Sequence, residues 1–465
     1  MRGNSDLDLS RSLAPLTEAE SRELFLEDGS RVAVIGGGPA GSFFSFFLLK
    51  MAATVDLDVA VDIYEPRSFR RCGPAGCNHC GGIVSESLVQ ILAAEGIPLP
   101  PEVVQRGIES YVVHMDVGDV EIESPAGERR IAALYRGNGP REGGESDWRS
   151  FDDYLQEMAV AKGARVIPKV VTGLERREGL PHVVDVDGGA EPYDLVCLAS
   201  GVNSNFMQLL NGFTTVKKPP KTTRTYICEF RSSREEIQRV LGDSMHVFLL
   251  SIPRLEFAAL IPKGEFVTMC LLGDDVDQEL VNEFLNSPEV LRCFPADATP
   301  CVCSCSPLIN VKGTHEPFAD RLVLIGDTGV TRLYKDGIGA AFRTAKAAAT
   351  TAVFQGISEK AFRDHYKPAC GRITADNRIG QGIFALTTVF KLVRPTRRAI
   401  LRMASLEQES RDKPRRMSAM LWNLFTGSAP YGEILKGAMH PGFVTGFLWN
   451  LALGVRPNGN GRKAV

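Results

Sequence analysis

The 465-residue chain has little surplus charge of either sign: 53 Lys and Arg stand against 56 Asp and Glu, a formal net charge of −3. That balance excludes a nucleic-acid binder working through overall charge. Long apolar runs are also lacking. The longest suggestive uncharged stretch, Pro441–Val455, has 15 residues, whereas a spanning helix needs about 18 or more. The first thirty residues carry charges throughout and lack the apolar core of a signal peptide. Eleven cysteines, an odd number spread over a long chain, do not make a secreted disulfide framework. No tandem repeat or long low-complexity tract is present. These features predict a cytoplasmic chain with reduced thiols. What is plentiful is core material: 44% of residues are hydrophobic and 23% charged, which excludes wholesale disorder. At about 150 residues per domain the length suggests roughly three units.

Residues 1–30 read as a polar lead-in with a short helix over Glu18–Leu26. RVAVIG (31–36) is a run of β-formers ending in glycines, the pattern of a buried parallel strand. Pro39–Thr54 predicts a helix, apolar almost all round, and DLDVAVDIYEP (56–66) a second strand. FDDYLQEMAVAKGA (151–164) has helical spacing, and DLVCLASG (194–201) is a further core strand. Between 205 and 315, β-like runs (TYICEF, MHVFLLSI, FAALIP, FVTMCLLG) punctuated by Pro and Gly predict an antiparallel sheet. RLVLIGD (321–327) returns to the first pattern, and an alanine-rich helix follows from Gly337 to Phe354. From about 355 onward the pattern is helical.

The run Gly36-Gly37-Gly38-Pro39-Ala40-Gly41 satisfies G-x-G-x-x-G, follows a predicted strand and opens a predicted helix. Glycines there allow the tight turn and a close backbone approach to a pyrophosphate, whose charge the helix N-terminus favours. Gly36, Gly38, Ala40 and Gly41 are thus the candidate phosphate-loop residues. Glu65, at the end of the next strand and 24 residues after Gly41, is the candidate for the ribose hydroxyls. A late strand delivering Gly326-Asp327 is superfluous for simple NAD binding but gives the longer FAD a second anchor. Asp327 can accept hydrogen bonds from ribityl hydroxyls or order the pyrophosphate. The helix starting at Gly337 and Ile338 aims its positive end at the N1/O2 edge of a flavin, favouring an anionic reduced form.

Taken together, the strand–GxGxxG–helix–Glu unit, the DLVCLASG strand and the late Gly-Asp segment resemble the p-hydroxybenzoate hydroxylase-like FAD flavoproteins over roughly residues 31–350. The resemblance implies that Arg149, just before a cofactor-proximal helix, contacts FAD; a surface cation at a helix start is the alternative. No second GxGxxG segment appears, so the implied electron donor is transiently docked NAD(P)H or a ferredoxin-like protein.

RRCGPAGCNHCGGIVSESL (70–88) admits three readings. The spacing Cys72-x4-Cys77-x2-Cys80, with His79, imitates the start of a plant-type iron–sulfur pattern; the next cysteine, Cys197, falls in a predicted core strand. A structural glycine-rich loop with incidental thiols is the second. In the third, Cys80-Gly81-Gly82-Ile83-Val84-Ser85 resembles the Cys-Gly motif of geranylgeranyl reductases, which saturate isoprenoid double bonds. That resemblance implies a place for Cys80 at the flavin, and covers neither Cys72 nor Cys77. The family's aromatic-rich lipid-contact segment is reduced here to Phe257-Ala258-Ala259-Leu260-Ile261-Pro262, and W-x-W-x-I-P, a halogenase feature, is absent. CVCSC (301–305) sets three cysteines on one strand face, at a spacing too short for paired zinc ligands.

Residues 391–416 hold nine Lys or Arg against three acids, a local charge of +6. Apolar residues interleave, and AMLWNLF (419–425) and GFVTGFLWNLALG (442–454) follow. Such a region suits an anionic membrane surface on the cytoplasmic face, or else a solvated basic face above core-packing helices.

The expectation is an α/β fold: a Rossmann-like FAD-binding domain (31–84, 140–204 and 316–354), an antiparallel β-sheet substrate domain (85–139 and 205–315) and a helical C-terminal region (355–465). The activity implied is reduction of C=C bonds in a hydrophobic isoprenoid or quinone-type substrate. A monooxygenase using the same cofactor fold, and a membrane-associated flavin electron carrier or redox sensor, are the other readings.

Overall fold

A computed structural model describes residues 24–77, 80–124, 131–140, 148–210, 219–410 and 414–455. Five parallel strands form its first sheet, in the order Leu322–Leu324, Leu195–Leu198, Ser30–Ile35, Val59–Tyr64, Arg165–Ile167, with Phe318–Ala319 antiparallel at one edge. The first strand is apolar without alternation because both its faces are covered. Val32 and Val34 pack under helices, while Ala33 and Ile35 pack under a three-stranded antiparallel layer, Val171–Arg177, Leu180–Asp185 and Ala190–Pro192. On the helical side Pro39–Ala52 lies against Gly337–Phe354 and Phe151–Val160. Phe43 and Phe47 meet Phe342 edge-on at 5.5 and 5.3 Å, which explains a first helix that is apolar almost all round.

The second sheet has seven strands, in the order Thr299–Cys305, Tyr226–Arg231, Phe266–Gly273, Leu255–Lys263, Ser244–Phe248, Ser110–Met115, Gly118–Glu123. It is not wholly antiparallel as the sequence predicts: Ser244–Phe248 runs parallel to Ser110–Met115. Parallel neighbours need a long crossover, and here the chain travels through the first sheet between them. Alternation sends Tyr111, Val113, Met245, Val247 and Cys270 to one face and Phe248, Leu260, Met269 and Leu271 to the other.

The first face is covered by C-terminal helices Lys367–Leu392, Arg394–Glu409, Arg416–Thr426, Tyr431–Ala438 and Pro441–Val455. The basic run of 391–416 is therefore not uniformly solvated. Lys391 is buried with its Nζ on the carbonyls of Leu255 and Glu256, and buried Arg397 pairs with Asp116. Of the predicted lead-in helix, Leu24–Leu26 are not helical and Glu18 to Glu23 lie outside the described residues. Instead Leu24 accepts a hydrogen bond from the Ile357 amide and Leu26 enters the core. No helix among the described residues is long and apolar enough to cross a membrane.

Trp422 fastens the helical region to the second sheet: it is fully buried, its ring 5.2 Å from that of Tyr111. Trp422→Ala is expected to cost about 3–5 kcal/mol, measured as a lowered denaturant midpoint.

Candidate dinucleotide site and the cysteine loop

The glycine turn is held by sterics. Gly36 has φ +105°, and a Cβ there would stand 2.7 Å from the Ala199 carbonyl oxygen; a Cβ at Gly41 would stand 1.9 Å from the Gly36 carbonyl oxygen. Glycine at both positions lets the helix start directly on the end of its strand. Gly38 is the N-cap residue, Pro39 opens the helix, and no side chain caps it. First-turn amides, those of Ala40 and Gly41 among them, have no partner within the helix, and so are available to an anion.

Glu65 is nearly fully buried at the end of the neighbouring strand. One carboxylate oxygen accepts from the Gly37 amide at 3.0 Å; the other accepts from Arg67 N and Nε, both at 3.1 Å. The amide nitrogen of Gln156 is buried beside Gly37 and has no hydrogen-bond partner among the described residues. Sequence reasoning missed it, because a glutamine in a helix carries no spacing signal. An unpaired donor at this turn fits a polar ligand.

The late segment touches the turn directly. Gly326 is left-handed (φ +59°), and a Cβ on it would come within 2.8 Å of the Ala40 Cβ. Its amide donates to Thr344 Oγ1 at 3.1 Å. Burial pushes the adjoining Asp327 carboxyl above its ordinary value, while the charge of Arg136 works the other way. The helix beginning at Gly337 has no side-chain cap either, and buried Ile338 follows. Asp336 stands before it, but Arg332 at 3.0 Å and Arg343 both pair with its carboxylate. The positive end of the helix is thus not cancelled by that acid.

Arg136 is the residue that sequence reasoning did not find. It follows the strand Ile131–Leu134 and makes a bidentate bond to the fully buried Asp152 carboxylate, at 3.1 and 3.0 Å. Burial alone would lower its pKa; Asp152, Cys80 and Asp327 together raise it. The guanidinium thus ties the strand that seats the cysteine loop to the Phe151–Val160 helix through Asp152. Arg149 turns along that helix instead, pairing with Glu157 and standing 5.2 Å over the Tyr154 ring.

The cysteine loop is seated by backbone pairing. Ile83–Val84 is antiparallel to Ile131–Leu134, and the Leu134 amide donates to the Gly82 carbonyl at 2.8 Å. Fully buried Lys263 donates to the Gly81 carbonyl at 2.7 Å. The described loop thiols do not gather. Cys72 donates to the Asn138 carbonyl at 2.9 Å, and Cys80 accepts from the Gly82 amide at 3.4 Å. His79 lies outside the described residues. Beneath the loop, burial pushes the Cys270 thiol far up and that of Cys305 to about 12, so both stay protonated at neutral pH. Replacing Arg136 by Met should destabilise the fold by about 3–5 kcal/mol, because buried Asp152 loses its balancing charge; chemical denaturation at neutral pH measures it.

No protein-family model matches the chain, and no curated protein matches it. Solved structures do. A geranylgeranyl bacteriochlorophyll reductase-like protein of Thermoplasma acidophilum superimposes with a TM-score of 0.56 at 16% identity, over 91% of this chain and 100% of the other. A mutant of halogenase PltM in complex with FAD gives 0.60 at 12% identity, over 92% and 91%. For 2-methyl-3-hydroxypyridine-5-carboxylic acid oxygenase the values are 0.52 and 16%, over 78% and 93%. At such identities the likeness is one of fold, and the fold is the one these flavoproteins share.

Proposed function

We propose that this chain is an FAD-dependent oxidoreductase that reduces C=C bonds of a hydrophobic isoprenoid or quinone-type substrate. The observation that carries the reading is the seating of the cysteine loop: the Leu134 amide holds the Gly82 carbonyl, and two residues later Arg136 binds the buried Asp152 carboxylate bidentately. This supports a role for the loop whose thiol resembles the reductase motif. The fit to FAD rests on uncapped helix starts at Pro39 and Gly337, and on the unpaired Gln156 donor at the glycine turn.

When bound, FAD supplies the hydride for one alkene carbon, and is recharged by an external donor such as NAD(P)H or a ferredoxin-like protein. The amides of Ala40 and Gly41 would hold the diphosphate, and Glu65 would hold a ribose hydroxyl. Cys80 gives the proton to the second alkene carbon, and its thiolate is reprotonated from solvent. An unactivated alkene is a poor hydride acceptor, so orientation and exclusion of water by the second sheet's apolar face carry much of the barrier.

A lipid substrate also accounts for the outer helices. Val389, Leu392, Leu448 and Trp449 are exposed, on two helices joined by a Phe390–Phe447 ring contact at 5.7 Å. Arg394, Arg398 and Arg402 are exposed on the helix between them. We assign this face to an anionic membrane surface.

Anaerobic single turnover tests the activity: flavin reduced by dithionite is mixed with isoprenoid lipids or quinones, and absorbance and product mass are followed. Reoxidation with a gain of two hydrogens supports the reading. A flavin that stays reduced until oxygen enters, then yields a product heavier by one oxygen, makes the protein a monooxygenase. Thiol-dependent spectral change without product makes it a carrier or sensor. Glu65→Ala should lose flavin on gel filtration. Cys80→Ser should keep it and turn over about 10²-fold more slowly; an unchanged rate removes Cys80 from the mechanism. Sedimentation with anionic phospholipid vesicles should fall about tenfold in Trp449→Ala and weaken with salt.

A further inference from the structure

The opposite face of the second sheet carries a side-chain cluster that the chemistry above does not use. His114 on Ser110–Met115 and His246 on Ser244–Phe248 project to this face together with Phe248, since Val113 and Val247 project to the other. Cys293 reaches them from the segment just after the short helix Pro288–Leu291. All three are buried, and one ligand atom of each lies within 4.8 Å of the others. Separations are 2.9 Å for His114 Nε2 to His246 Nδ1 and 3.6 Å for Cys293 Sγ to His114 Nε2. With Zn–N of about 2.0 Å and Zn–S of about 2.3 Å, a tetrahedral ion requires N···N of roughly 3.3 Å and N···S of roughly 3.5 Å. The imidazole pair needs a few tenths of an ångström of opening, the Cys293–His114 separation already fits, and the Cys293–His246 separation is within 4.8 Å.

The surroundings support the same assignment. His246 Nε2 faces the Leu241 carbonyl at 3.3 Å, the outer bond that orients a ligating imidazole and keeps its other nitrogen unprotonated. Burial lowers the pKa of His114 to about 3 and of His246 to about 4, so both rings are neutral at physiological pH. Asp119, the register partner of His114, lies on the same face, and its charge acts on His246 and Cys293; exposed Arg292 opposes it. Two imidazoles, a thiol and one adjacent carboxylate make a borderline-soft donor set.

We infer that His114, His246 and Cys293 form a binding site for a zinc-class divalent ion, with a fourth position open to water or Asp119. The ion would displace the proton shared between the imidazoles, which moves to His114 Nδ1, and the Cys293 thiol proton, which leaves to solvent. It would tie the segment after Pro288–Leu291 to the parallel strand pair. This assignment is independent of the proposed reductase activity.

Chelator-treated full-length protein titrated with Co2+ tests it. One equivalent should bind with the visible bands of tetrahedral cobalt and a near-ultraviolet thiolate-to-cobalt band, and Zn2+ should displace it. His246→Gln should weaken binding at least about 100-fold, and Cys293→Ser should lose the thiolate band. Absence of stoichiometric binding, or a thiolate band that survives Cys293→Ser, overturns the assignment and leaves a hydrogen-bonded pair of neutral imidazoles. Should either variant fail to fold, X-ray absorption of the zinc-loaded wild type decides. Two imidazole nitrogens and one sulfur uphold the site; an all-sulfur shell overturns it.

Discussion

The burial of Asp152 is the constraint around which the candidate site is arranged. A carboxylate without solvent exposure costs several kcal/mol in desolvation unless a cation meets it with good geometry. The bidentate Arg136 bond meets that requirement, and in doing so fixes more than one pair. Arg136 stands one residue beyond Tyr135, whose preceding strand holds Gly82 by a backbone bond. The position of the guanidinium and that of the cysteine loop are therefore a single structural choice. The backbone carbonyl of Arg136 also takes the Ser150 hydroxyl at 2.6 Å, and Ser150 caps the helix that carries Asp152. The ion pair and the helix cap close on each other, so neither end is free to drift.

Much of this architecture is legible in local sequence, because it follows from local rules. A strand buried on both faces must be continuously apolar, and VAVI (32–35) is. A helix seated on a strand end needs glycine where its backbone touches that strand, and Gly36 and Gly41 supply it. The run FVTMCLLG is a strand over its full length, since β-branched and apolar residues there meet neighbours on both sides. What local sequence does not carry is the identity of partners far along the chain. Arg136 follows an apolar run like many surface arginines, and only folding brings it to Asp152. The parallel pairing of Ser244–Phe248 with Ser110–Met115 is equally invisible, because a β-strand's composition does not encode its neighbour's direction. Lys391 and Arg397 belong to a basic run whose count suggests a solvated face; two of its members are spent on carbonyls and on Asp116.

The cysteines show the same division. Counting and spacing single out Cys72, Cys77 and Cys80, yet among the described residues the place where three metal-ligating side chains gather is His114, His246 and Cys293. Those residues are separated by more than a hundred positions at one step and nearly fifty at the next, so no motif can announce them. They meet because a parallel strand pair sets two histidines on one face and a short helix returns a thiol to it.

Period-two alternation then decides what each cluster can do. Along Phe266–Gly273, Cys270 turns to the face under the cysteine loop while Met269 and Leu271 turn to the other. Along Ser244–Phe248, Val247 and His246 divide in the same way. A single sheet, about one backbone thick, thus separates a thiol-bearing face next to the cysteine loop from an imidazole–thiol cluster on the far side. Each strand residue presents its side chain to one face alone, so the proposed redox site and the proposed ion site share no residue, and substitutions at neighbouring positions of one strand should report on different sites.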